Sequence, residues 1–129
     1  MADIVGFGRS GVQVSFGRGT GIFEKISPIQ NIFSAGSGWT SQDRFTRTLA
    51  DVNGDGILDL VGFGEAATYV AYGNRKGKFS QAVKATDDFS VRAGWYSQNV
   101  LPRHLADVNG DGKADIVSFG RGEVKVALS

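Results

Sequence analysis

Two nine-residue stretches hold the chain's densest groups of carboxylates. Asp51, Asn53, Asp55 and Asp59 stand in "DVNGDGILD", and Asp107, Asn109, Asp111 and Asp115 in "DVNGDGKAD". Oxygen side chains at loop positions 1, 3, 5 and 9 suit a hard cation such as Ca²⁺, which takes about 6–8 oxygen ligands. Gly54 and Gly56 permit the tight curl, and the main-chain carbonyl of Ile57, or of Lys113 in the second copy, can add a ligand. Three carboxylates this close repel one another unless a cation sits among them. The competing reading is an Asx-rich turn held by side-chain-to-backbone hydrogen bonds without metal. An EF-hand is excluded at its twelfth position, which should be Glu and is Gly62 in one copy and Ser118 in the other.

Other chemistries find no residues. There is no cysteine, so disulfides, thiolate nucleophiles and zinc ribbons are absent. His104 is the single histidine and its counterpart in the other copy is Thr48, which places it outside the repeated machinery as a solvent-facing strand residue. "GFGRSG" and "GRGTG" lead into strands and lack the helix and Lys-Ser/Thr of a phosphate loop. The basic "GNRKGK" reads as a solvated hairpin tip. Nothing argues for catalysis, and the expectation is a protein that is not an enzyme. A net charge of +1 supplies no field for nucleic acid or an anionic membrane. No apolar run reaches a membrane span, so no membrane insertion is expected. The start lacks signal-peptide features and falls inside a repeated phrase, which reads as a fragment of a larger repeat array.

The elements that must carry these loops repeat as well. Asp3, Asp59 and Asp115 stand 56 residues apart and open "DIVGFG", "DLVGFG" and "DIVSFG". Phe33/Phe89, Gly38-Trp39/Gly94-Trp95, Gln42/Gln98, Arg47/Arg103 and Leu49-Ala50-Asp51/Leu105-Ala106-Asp107 keep the same offset. The 129 residues thus form one propeller piece, 1–129, with units 3–58, 59–114 and a partial 115–129. The 19 glycines, roughly twice the usual share, point to many tight turns between short strands. "VQVSF", "TYVAY" and "VKVAL" superpose and alternate, placing Val14, Val70 and Val126 on one face and Gln13, Tyr69 and Lys125 on the other. One full unit reads as strands at 45–52, 59–64, 68–73 and 78–84. Four short antiparallel strands per unit make a β-propeller blade, so the fold class is all-β with about two blades plus a partial one.

With these motifs the chain resembles the FG-GAP/VCBS class of blades found in integrin α-chain heads and many secreted bacterial proteins. The order "GFG..GV.V", "G.F", "F...GW", "R.LAD" is most similar to the seven-bladed propeller lectins of the Psathyrella velutina and Photorhabdus family. The resemblance spans essentially the whole chain. It implies Ca²⁺ in the aspartate loops, an extracellular or cell-surface setting, and monosaccharides of fucose or N-acetylglucosamine type bound between blades. The chain departs from that family in blade number and in its "WTSQDRFTRTLAD" and "WYSQNVLPRHLAD" stretches.

A neutral-sugar pocket needs an aromatic face and a few planar polar groups. Trp39, Trp95, Tyr96, Gln42, Gln98, Arg47 and Arg103 supply these types, with Ser41 and Ser97 adding hydroxyls. Packing between blades is the alternative for the tryptophans, whereas for Arg47 and Arg103 a structural hydrogen bond to neighbouring backbone is the favoured role and a sugar contact the alternative. Glycans are the expected partners of a non-catalytic lectin; a Ca²⁺-stabilised, integrin-like adhesion scaffold and an enzyme's accessory propeller are the other readings. Two blades cannot close a ring and would expose strand edges and apolar faces. The expected assembly is therefore a homo-oligomer, a trimer of six blades being favoured over a tetramer or dimer, with the duplicated segment 115–129 competing with residues 3–17 for one place, fraying or pairing elsewhere.

Overall fold

The structure is a computed structural model describing residues 1–129. It is all-β apart from one 3₁₀ turn at Ala35–Ser37, and no helix is long and apolar enough to cross a membrane. Three antiparallel sheets follow one another along the chain. The first pairs β1 (Ile4–Phe7) with β2 (Val12–Ser15). The second is a complete blade of β3 (Arg47–Ala50), β4 (Asp59–Phe63), β5 (Thr68–Ala71) and β6 (Val83–Thr86). The third holds β7 (Arg103–Ala106), β8 (Asp115–Phe119) and β9 (Val124–Ala127). Registers repeat with the sequence: Arg47 pairs with Gly62 as Arg103 pairs with Ser118.

The fourth strand of the complete blade departs from the sequence expectation. It was expected at 78–84 and instead runs from Val83 to Thr86. A register shift at Thr68/Tyr69 and a single bridge from Gly73 to Phe79 separate it from the tight hairpin before it. The hairpin is closed by side chains, Ser80 Oγ accepting from Tyr72 N and Asn74 Oδ1 from the amides of Lys76 and Lys78.

Cores form between sheets. Leu60 and Ala71 pack with Val12 and Phe33 on the side of the first sheet, while Val61, Phe63 and Val70 pack with Phe89, Trp95 and Leu101 on the other. β4 is consequently buried along its whole length, where alternation alone would leave one face wet. The face expected for Val14, Val70 and Val126 is buried at Val14 and Val70 and 51% exposed at Val126, because no strand of the chain is laid over that face of β9.

One corner recurs three times. Oδ1 of Asp3, Asp59 and Asp115 accepts from the amides of Gly17, Gly73 and Ser129, each at 2.9 Å. Gly73 must be glycine, since a Cβ there would meet the Leu58 carbonyl oxygen at 2.1 Å.

Candidate functional site

The connection between sheets, residues 31–46, builds a cleft with an aromatic wall. Its first half hangs on the preceding sheet: the amides of Ala35 and Gly36 donate to the carbonyls of Gly8 and Arg9. Ser34 caps the 3₁₀ turn through its side chain, and Gly38 ends it at φ 108°. The chain then lays Trp39 over β4 of the following sheet. A Cβ at Gly62 would stand 2.7 Å from the Trp39 ring, so glycine is what lets the indole lie against the strand. Phe33, Tyr69 and Phe45 brace that indole at centroid distances of 4.6, 6.4 and 6.2 Å.

The resulting cleft encloses about 540 Å³, within the size range of small-ligand sites. Trp39, Tyr69 and Phe45 give it an apolar wall, and Asn31, Gln81 and Glu65 bring exposed polar ends to its rim. Glu65 is paired with Arg44 at 3.3 Å. An aromatic wall with planar hydrogen-bonding groups around it is the chemistry a pyranose needs, C–H groups against the ring and hydroxyls against amide and carboxylate.

The other sequence candidates are placed differently. Gln42 folds onto Arg47: Nε2 donates to the Arg47 carbonyl at 2.6 Å, and Oε1 accepts from Arg47 N and Nε, both at 3.2 Å. Gln98 repeats this on Arg103. Both arginines are buried and lie over a phenylalanine of the preceding sheet, Arg47 on Phe7 at 5.0 Å and Arg103 on Phe63 at 4.9 Å. Their Nη1 atoms donate at 2.9 Å to the carbonyls of Phe33 and Phe89. Those two phenylalanines have φ of 45° and 60°, a left-handed backbone that costs a bulky residue about 1–3 kcal/mol unless its surroundings impose it. Burial pulls Arg103 down to about 10, partly countered by the Asp43 carboxylate, and burial lowers Arg47 as well. These four polar side chains are thus committed to the joint between blades. Ser97 is too, donating to Asp43, and Ser41 accepts from Arg44 N. His104 is exposed on β7 with Phe119 beside it.

Trp95 is buried and Tyr96 exposed in a second, smaller cleft beside the turn from β8 to β9. Tyr69, Phe45, Asn31, Gln81 and Glu65 were not anticipated as site residues. Alternation had set Tyr69 opposite Val70, which was the one available signal; the rest reach the cleft from separate turns.

In the aspartate loops the side chains stand on backbone amides. Asp51 accepts from Gly54, Asp55 and Gly56, Asn53 Oδ1 from Asp55, and Asp55 Oδ1 from Ile57. Asp107, Asn109 and Asp111 repeat the pattern, with Lys113 N donating to Asp111. Asp51 is held below its usual value: slight burial acts upward, and the amides of Gly56, Gly54, Asp55 and Asn53 outweigh it. The Gly112 amide leads the same lowering at Asp107. Asp59 and Asp115 are wholly buried and also accept from Val52 N and Val108 N. No group of three acidic side chains is gathered closely enough to hold a metal ion. The all-oxygen donor set suits calcium, and an oxygen accepting one amide keeps a further lone pair. The convergence a cation requires is not made by these side chains as they stand.

Comparison with known proteins follows the repeat. The model of the FG-GAP-like repeat matches residues 1–61 and 51–118. Among solved structures, one from Agrocybe aegerita, described as a lectin specifically recognising non-reducing terminal N-acetylglucosamine, is 40% identical with a TM-score of 0.87. The match covers 98% of this chain and 31% of that one, so the chain spans about a third of that protein's length. The search of curated proteins returns no match.

Proposed function

This chain belongs to the FG-GAP-like repeat family, and from that premise we propose that it is a non-catalytic lectin that binds a monosaccharide in the cleft between blades at Trp39. The observation that carries the reading is the braced indole facing a cleft of about 540 Å³ rimmed by Asn31, Gln81 and Glu65. N-acetylglucosamine is the first ligand to test, because the similar Agrocybe aegerita lectin is described as recognising it; fucose is the second. Calorimetric titration with each sugar is the experiment. Trp39→Ala is expected to lower affinity at least about tenfold, the loss of one aromatic stacking face, while its circular dichroism stays that of the parent. Equal binding by that variant would move the site elsewhere, and no binding by the parent would favour the alternative of a protein-binding adhesion scaffold.

Calcium belongs to the proposal as a structural ion of the aspartate loops, supported by their all-oxygen donor set and spacing, and taking it up requires those side chains to converge from where they now stand. A closed assembly of several copies belongs to it too, supported by the exposed apolar residues Val124, Val126 and Leu128.

A further inference from the structure

The two clefts are built from equivalent positions, 56 residues apart, yet their charges have diverged. Glu65 of the first corresponds to Arg121 of the second, Tyr69 to Lys125, Ala67 to Glu123, and Thr40 to Tyr96. The aromatic surface has moved as well. In the first cleft Trp39 is half-buried, while in the second Trp95 is 6% exposed and Tyr96 is 39% exposed. Arg121 lies against the Tyr96 ring at 5.9 Å and donates from Nη2 to its hydroxyl at 2.6 Å. One of five guanidinium donors is so used, and the others remain for a ligand. Lys125 is paired with Glu123 at 3.5 Å, which leaves the Arg121 charge without a carboxylate partner. Arg121, Glu123 and Lys125 are the charged residues lining this cleft of about 340 Å³. In the first cleft Glu65 already has Arg44, whose counterpart in the second is the neutral Val100.

We propose that the second cleft takes a saccharide carrying an anionic substituent, a carboxylate or a sulfate, against Arg121 with its ring on Tyr96, while the first takes a neutral sugar. This rests on the lectin reading above. A planar guanidinium fixed by an aromatic ring presents paired N–H groups to such an anion, and one side chain can therefore switch the ligand class without altering the strands beneath.

Isotope-labelled protein, read at the indole N–H signals of Trp39 and Trp95, tests it with N-acetylglucosamine, glucuronic acid and N-acetylglucosamine 6-sulfate as probes. The acidic sugars are expected to move the Trp95 signal with affinity about five-fold or more above the neutral one at low salt, and to lose that advantage as salt rises. Arg121→Glu, at an exposed turn, is expected to remove the acidic response. Glucuronic acid and the sulfate responding differently would name the anion preferred and uphold the assignment. Equal responses to acidic and neutral sugars at Trp95, or an acidic response that survives Arg121→Glu, would overturn it. A Trp39 signal that responds to N-acetylglucosamine while Trp95 ignores every acidic sugar overturns the charge division alone. Silence of both indoles toward all three sugars overturns the lectin reading with it.

Discussion

Arg103 donates to Gln98 Oε1, to the Phe89 carbonyl and to Thr46 Oγ1 while lying on Phe63, so one side chain joins two sheets and the connection between them. Lysine keeps the charge and loses the fork, which leaves buried acceptors unpaired. Arg103→Lys is therefore expected to lower stability by about 2 kcal/mol, read in urea unfolding. Gly62 is a second such position. Gly62→Ser places atoms where the Trp39 ring now lies and is expected to weaken binding of a neutral sugar about five-fold through a displaced stacking face. Its counterpart Ser118 already carries a hydroxyl, buried and without a hydrogen-bond partner, where the second indole lies 5.7 Å from Phe89 rather than 4.6 Å. The repeat made Trp39 and Arg47 legible as paired positions. It did not say how deeply each is buried, because burial is decided by a neighbouring sheet that spacing does not describe.

Among elements, β4 depends on the carboxylate that opens it. Asp59 accepts from Val52 N at 3.0 Å and Gly73 N at 2.9 Å, tying the aspartate loop and the following hairpin to one strand. Asp59→Ala leaves two amides without partners in a buried corner and is expected to cost about 2–4 kcal/mol, with Asp59→Asn costing less. That loss is expected in chelator-treated protein too, since it depends on amides alone. Calcium makes a separate prediction: if it fills the loops, saturating metal raises the melting temperature, by about 2.7 kcal/mol of added stability at a hundred times the dissociation constant. An unchanged melt on adding calcium to stripped protein removes the ion from the proposal. The strands of the complete blade were legible from alternation and glycine turns except for β6, whose bulge and side-chain-closed hairpin leave no trace in a period-two pattern.

At the scale of the molecule, the apolar clusters lie between sheets: one joins Val12 and Phe33 to Leu60 and Ala71 of the next unit, and the other joins β4 and β5 to Phe89, Trp95 and Leu101 of the following connection, with Leu105 and Ile116 of the third sheet packed against it. The joint is also polar: Asp43 accepts from Ser97 Oγ and Asn99 N, and Gln30 bridges to Gly77 O and Phe79 N of the next unit. A sheet with a neighbour on each side is buried through, as β4 is, whereas β9 and the residue after it show Val124, Val126 and Leu128 at 58, 51 and 62% exposure. Such a face, with an unpaired strand edge beside it, is a surface that another sheet can cover. In the proposed assembly a second copy of the chain covers it, and head-to-tail contacts of this kind end only when the ring closes. Light scattering is accordingly expected to give a mass near three times the 13.7 kDa of the chain. Val126→Glu is expected to shift that mass toward the single chain while leaving the middle blade folded, because Val126 is 51% exposed and a carboxylate there stays in water. Val70→Glu, at the equivalent but buried position, is expected to unfold the protein instead. A parent protein that stays at 13.7 kDa across concentration, with Val126→Glu indistinguishable from it, would show that the open face needs no cover and that assembly is no part of how this chain works.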